Sequence, residues 1–311
     1  MREHNLDFQV SNVLTNPAEQ WDKIKKASQG KNRIAFRKID VDWKKYNIND
    51  YLFTHDTACC SVATEKNGYW ITPPCWELVN ANGNAWTTPV LLASFKTFVG
   101  GDNFLEHMQY PTLSKGKILD AIARPVVHHS EKYGDANIYV IDCLVATSRK
   151  HEALVDRIES GKLTTLSMGT VCNYTQCSIC GKVISDSDRN CEHLDNHIGQ
   201  MVTCQDGEQR ICAELCGACD ENGNYIEGSN NFIELSWVEH PAFKGAVINS
   251  FVETDEIRAS RETEKDELAK LFDGNLFDRL KVADRDSKIA LKITREIGKV
   301  ERIAKKIVDE I

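Results

Sequence analysis

The stretch that decides the fold runs from Leu166 to Gly181 and reads L-S-M-G-T-V-C-N-Y-T-Q-C-S-I-C-G. Leu166 and Met168 are apolar with Ser167 between them, the period of two expected of a strand with one buried face. That alternation sends Ser167 to the opposite face, and Gly169 leaves the approach to its hydroxyl open. A serine held this way is a candidate nucleophile. S-x-G also occurs in ordinary turns, so it needs a base and an orienting group before it implies chemistry. Downstream, Cys177-x2-Cys180 is the first half of a metal site.

The neighbouring segments supply strands to pair with this one. Lys117–His128 and Asn137–Ala146 are β-branched, apolar runs joined by H-S-E-K-Y-G-D-A, so they read as a hairpin. Ser148 is placed to cap a helix over Arg149–Ser160. Leu154 and Ile158 would face inward, and Gly161 sits at the C′ position. Leu163–Met168 and Phe232–Val238 read as further strands, the latter ended by His240-Pro241. From Tyr51 to Gly101 the density of Trp, Pro, Asn and Gly predicts ordered loops and turns rather than long elements.

The pattern therefore predicts an α+β fold with a β-barrel-like antiparallel core, closed or nearly closed, and peripheral helices. The core domain would span 51–252, with a zinc-binding insertion at about 172–219. Residues 1–50 read as an N-terminal arm with an amphipathic helix near Pro17–Ser28. Residues 253–311 read as a charged linker and a C-terminal helical tail. In that tail Ile289, Ile293, Ile297, Val300, Ala304, Ile307 and Ile311 recur at near-heptad spacing, which suits pairing with a second helix or packing on the same domain.

Composition limits the function classes. The chain has 311 residues and a formal net charge of −8, with no local cluster of Lys and Arg, which argues against a nucleic-acid partner. No leader-like apolar segment opens the chain and no run approaches a membrane span. Of twelve cysteines, eight crowd between Cys172 and Cys219. Without a secretory signal, that clustering points to metal ligation in a reducing compartment.

Cys177, Cys180, Cys191 and His193 offer three thiolates and an imidazole, a set that zinc binds tetrahedrally. Four protein ligands fill the shell, so the zinc would be structural. His197, four residues after His193, is an alternative fourth ligand. Cys204, Cys212, Cys216 and Cys219 contain a second C-x2-C and leave a second metal site open.

Among nine histidines, His107 in N-F-L-E-H-M-Q-Y-P is the best-placed general base for Ser167. His128 and His129 sit at the hairpin turn, His151 in the first turn of a helix, and His55 and His240 beside loops.

The order of these pieces resembles a known family. A histidine precedes a G-x-I strand (Gly116-Lys117-Ile118). A second strand, a helix ending I-E-S-G and the L-S-M-G strand follow. This series is similar to bacteriophage prohead proteases, the head-maturation serine proteases related in fold to herpesvirus assemblin. The likeness is greatest to large tailed-phage versions with W-I-T-P-P-C-W-E-L-V-N-A-N-G-N-A-W and the inserted C-S-x-C-G…C-E-H segment, and it covers roughly 51–252.

The resemblance implies Ser167 as nucleophile and His107 as general base, with backbone N–H groups near S-M-G stabilising the oxyanion. The segment I-E-L-S-W-V-E-H-P-A favours Glu234 as the orienting carboxylate, with Glu239 and Asp142 as alternatives. Substrates would be phage scaffold and capsid proteins, and the enzyme itself, inside the assembling prohead in the host cytoplasm. The charged tail would tether the enzyme to scaffold. A homodimer is left open. Shorter members of the family lack the cysteine insertion, whose zinc would brace one wall of the cleft. The rival reading is a non-enzymatic, zinc-stabilised capsid or scaffold assembly protein.

Overall fold

A computed structural model describes residues 45–252, apart from 48, 66, 186 and 221. The helix expected near Pro17–Ser28, the linker and the heptad-like tail lie outside the described residues. The strands are β1 (Tyr51–Cys60), β2 (Thr64–Glu65), β3 (Trp70–Ile71), β4 (Asn84–Ala85), β5 (Asp102–Asn103), β6 (Gly116–Ser130), β7 (Gly134–Ser148) and β8 (Leu166–Cys172). There follow β9 (Tyr174–Cys177), β10 (Val183–Ser185), β11 (Met201–Thr203), β12 (Gln209–Ile211), β13 (Glu214–Cys216), β14 (Asn230–Trp237) and β15 (Ile248–Phe251). Three short α-helices accompany them: α1 (Thr88–Ser94), α2 (Glu152–Glu159) and α3 (Glu192–His197).

The fold is α+β and mostly strand. Its centre is the long hairpin β6–β7, paired from Gly116↔Thr147 to Ser130↔Gly134, which extends the hairpin expected from the β-branched runs. The main sheet has seven strands in the order β15-β1-β7-β6-β5-β14-β8. It is not a closed barrel. Among the described residues its two ends are stitched only before Ser167: Thr165 bridges Val247, the Leu166 N–H donates to Ala246 O at 3.0 Å, and the Ile248 N–H donates to Thr164 O at 3.0 Å. The chain before Val247 then turns away, with the Ala246 N–H bonded to Phe243 O. Among the described residues, β8 has a sheet neighbour on one side only from Ser167 onward.

The Tyr51–Gly101 expectation needs correction at its start. Residues 51–60 form a ten-residue strand, buried along nearly its whole length. A strand covered on both faces shows no alternation, and Thr54, His55, Asp56 and Thr57 disguise it because their polar groups are buried as well. The remainder of that stretch is short strands, 3-10 turns and α1, as its punctuation suggests. Helix α2 buries Leu154, Val155 and Ile158, and Gly161 takes a positive φ of 71° just beyond it. Ser148 does not cap the helix; the residue at its N-cap is His151. On the core side of the sheet, Phe98 and Phe232 stack with ring centroids 4.3 Å apart, beside fully buried Trp237.

The polar residues of β1 form a network with the hairpin. Thr57 Oγ1 donates to Asp142 Oδ1 at 2.9 Å, Arg124 Nε donates to Asp142 Oδ2 at 2.8 Å, and His55 Nε2 lies 3.4 Å from Asp142 Oδ2. Burial alone would raise the Asp142 carboxyl, but His55 and Arg124 outweigh it and bring it to about 2. A depressed carboxylate contributes stability that is present above the unfolded value of about 4 and is lost as pH falls through the folded value. Asp142→Asn would leave the buried guanidinium facing a neutral amide. It is expected to cost about 3–5 kcal/mol in denaturant-induced unfolding, a loss that shrinks as the pH is lowered towards 2.

Candidate active site

Strands β8 and β14 pair antiparallel, with Ser167 opposite Ser236 and Gly169 opposite Glu234. Residues that pair directly share a sheet face, so Ser167, Ser236, Gly169 and Glu234 lie together on the side opposite Leu166, Leu235 and Trp237. The alternation read from L-S-M-G is therefore present. However, Ser167-Met168-Gly169 is continuous strand rather than a turn.

His107 reaches this face from the loop between β5 and β6. Its Nδ1 lies 2.8 Å from Glu234 Oε1. Glu234 is only 1% exposed, whereas the His107 side chain is 40% exposed. The carboxylate is thus fixed from below while the imidazole stays accessible. Ser236 Oγ donates to Glu234 Oε2 at 2.5 Å, and Gln109 Nε2 donates to Oε1 at 3.3 Å. The hydrogen bond to Glu234 raises the pKa of His107 above its ordinary value. Partial burial opposes that shift, and the charges of Glu234 and Glu106 reinforce it.

The loop that presents the histidine is strained. Glu106 and His107 take φ of 49° and 53°, and they are the only non-glycine residues with positive φ among those described. Such conformations cost on the order of 1–3 kcal/mol each and persist where surrounding contacts fix them. Here Leu105 bridges Trp237, the Glu106 N–H donates to Trp237 O at 2.9 Å, and the Glu239 N–H donates to Glu106 Oε1 at 2.9 Å. Gly169 completes the fit, since a Cβ there would collide with Glu234 Oε1.

Ser167 is 8% exposed and lines, with His107, a cleft of about 160 Å³. Asn80, Asn82, Asn84, Thr170 and Phe243 are among its other walls. The structure therefore gathers Ser167, His107 and Glu234 at one place. Glu239 instead pairs with Arg157, and Asp142 belongs to the buried network of β1. His128 pairs with Glu77, His129 with Asp135, and His55 with Asp142.

The cysteine insertion forms its own small unit. Ligand atoms of Cys177, Cys180, Cys191 and His193 all lie within 4.8 Å of one another, a group that can hold a metal ion. Tetrahedral zinc with bonds of about 2.3 Å to sulfur places its ligand atoms roughly 3.5–4 Å apart, so little movement is needed. His193 Nδ1 is buried with no hydrogen-bond partner, an arrangement that a coordinate bond would satisfy. His197 ends α3 and is not in the cluster. Cys204, Cys212, Cys216 and Cys219 do not converge on a second cluster among the described residues. Cys212 instead donates to His193 O at 3.3 Å and Cys216 interacts with Cys172.

This unit is attached to the cleft. β9 pairs with β13 at Cys177↔Glu214, and β13 pairs with β4 at Glu214↔Asn84. Asn84 Nδ2 also donates to Glu214 Oε2 at 2.9 Å. The Asn80–Asn84 wall thus hangs from the strand next to the cysteine cluster.

Two participants escaped the sequence reading. Ser236 had a signal, since it sits two residues from Glu234 on the same strand and so shares its face. Gln109 had none, because loop geometry alone brings it to the carboxylate. Comparison with protein-family models, characterised proteins and solved structures finds no match. Cys180→Ser is expected to lower metal content from about one ion per chain to well below half, read by elemental analysis of the purified protein.

Proposed function

We propose that the protein is a serine endopeptidase with Ser167 as nucleophile, His107 as general base and Glu234 as orienting carboxylate. The observation that carries this reading is the 2.8 Å contact between His107 Nδ1 and a nearly inaccessible Glu234, in the cleft that also holds Ser167. A histidine whose Nδ1–H is fixed by a carboxylate keeps Nε2 as its free basic nitrogen. Nε2 takes the Ser167 hydroxyl proton as Oγ bonds to the peptide carbonyl carbon. The resulting imidazolium returns the proton to the departing amine as the C–N bond breaks, and water then releases the acyl group. Met168, on the open side of β8, supplies the N–H of the S-M-G tripeptide suited to an oxyanion.

Zinc is the ion we assign to the three thiolates and one imidazole. When bound it supplies a structural clamp at Cys177, Cys180, Cys191 and His193, with no role in the acyl transfer. The clamp keeps β9 and β13 in register and, through Glu214, steadies the Asn80–Asn84 wall. Scaffold and capsid proteins of an assembling phage head, and the enzyme itself, are the substrates we propose, supported by the sequence resemblance to prohead proteases. The same resemblance is the support for proposing that it works inside the prohead in the host cytoplasm.

Labelling with a fluorophosphonate tests the hydrolase reading: the native chain should react and Ser167→Ala should not. A native chain that fails to react contradicts it and leaves the assembly-protein reading. For an active enzyme, the acid limb of kcat/KM should fall above the ordinary histidine value of about 6.5, because the base must be neutral and its pKa is raised. Glu234→Gln should move that limb down and lower kcat by roughly 100- to 10,000-fold.

A further inference from the structure

The cysteine unit leaves and rejoins the main sheet at one place. Its chain departs after Cys172, the last residue of β8, and returns through β13, which ends at Cys216. All four residues of the metal cluster lie between these two cysteines in the chain. At the junction β13 pairs with β9 as far as Cys216↔Thr175, and the Gly217 N–H donates to Tyr174 O at 3.0 Å. Both arms also close on the start of β14. The Asn173 N–H donates to Ser229 O at 3.0 Å, and the Ala218 N–H donates to Ser229 Oγ at 3.1 Å. Cys172 pairs with Asn230, and a Cβ at Gly217 would stand 3.0 Å from the Asn230 Cβ.

That convergence brings two thiols together. The side chains of Cys172 and Cys216 interact directly, with Cys216 buried and lining the cleft and Cys172 half-buried. They differ in their readiness to react. The hydrogen bond from Cys216 favours the Cys172 thiolate and outweighs burial, and Thr170 and the Gly217 N–H add to it. The same contact, together with burial, keeps Cys216 as the thiol. An attacking cysteine beside a resolving one is the arrangement that closes a disulfide. Neither residue belongs to the metal cluster. Both pack with the main core, whereas Cys177 and Cys212 pack in the separate core of the unit.

We propose that Cys172 and Cys216 are a disulfide-forming pair, a thiol modification site that staples the neck of the cysteine unit when a small disulfide oxidant such as oxidised glutathione reaches it. The Cys172 thiolate attacks one sulfur of the oxidant, forming a mixed disulfide and expelling one glutathione thiolate. Cys216 then loses its proton and attacks the Cys172 sulfur, which forms the protein disulfide and expels the second glutathione thiolate. Two thiols of the chain are oxidised, the oxidant disulfide is reduced to two thiols, and the protons pass to these. The bridge closes residues 172–216 into a loop that contains the whole metal cluster. Closing that loop restricts the unfolded unit, so the bridge stabilises the folded one. The site is independent of the hydrolase reading.

The test exposes the full-length chain, with zinc ions added, to oxidised glutathione and maps its cysteines by mass spectrometry after non-reducing trypsin digestion. The proposal predicts the loss of two hydrogens from the chain and a linked pair of peptides whose fragment ions join Cys172 to Cys216. Trypsin leaves Cys177 and Cys180 on the first of those peptides and Cys212 and Cys219 on the second, so variants assign the bridge independently. Cys172→Ser and Cys216→Ser should each abolish the link, and Cys212→Ser should keep it. On heating, the oxidised native chain should unfold above the reduced one, by about 5 °C. A link that maps to other cysteines, a chain that stops with glutathione on Cys172, or no reaction at all overturns the proposal. So does an oxidised chain that melts at or below the reduced one. If either serine variant fails to fold, the fragment ions of the native chain decide.

Discussion

The candidate site depends on one buried carboxylate. Glu234 is held from both sides, by Ser236 on one oxygen and by His107 and Gln109 on the other. A carboxylate away from water must be hydrogen-bonded or neutralised, and these partners meet that demand. They also fix the imidazole in direction. Gly169 is part of the same constraint, since only a residue without a Cβ lets β8 lie so close to the Glu234 side chain. The positive φ at Glu106 and His107 is the conformational cost, offset by backbone anchors to Trp237 and by the hydrogen bonds that the bent loop makes possible.

The rest of the domain supports that seam. The β6–β7 hairpin and the buried Asp142–Arg124 pair hold the middle of the sheet, and Trp237 and Phe232 secure β14 on the core side. The cysteine unit sits across the cleft and has only a small hydrophobic cluster of its own, with Cys177, Ile179, Ile184, Leu194 and Cys212 as its buried members. So small a core is a poor basis for order by itself, and a metal cross-link is the usual remedy. Trp70 adds a strut from outside the unit, donating to Ile179 O at 3.1 Å while Arg210 lies over its ring.

Much of this was legible in the sequence, for physical reasons that also explain the exceptions. The hairpin showed because β-branched runs flank a turn, and the face of Ser167 showed because strand alternation is strict. The cluster of Cys177, Cys180, Cys191 and His193 showed because a C-x2-C pair followed by C-x-H is rarely accidental in one short region. β1 did not show, because a strand buried on both faces with polar side chains satisfied internally carries no alternation. The open edge of the sheet was hidden too. Whether strands close into a barrel depends on where the chain near Ala246 turns away, which no local pattern encodes. His107 could be ranked above the other histidines, but the left-handed backbone that delivers it had no usable sequence signature, since Glu106 does not favour that region and the enrichment of His there is too weak to mark one position.

The most direct test of the account is nitrogen-15 NMR of the His107 imidazole in the Ser167→Ala chain, followed across pH. The account predicts a neutral form protonated on Nδ1, with Nε2 free, and a titration midpoint above that of an ordinary histidine. A neutral ring protonated on Nε2, or a midpoint at or below the ordinary value, would contradict it.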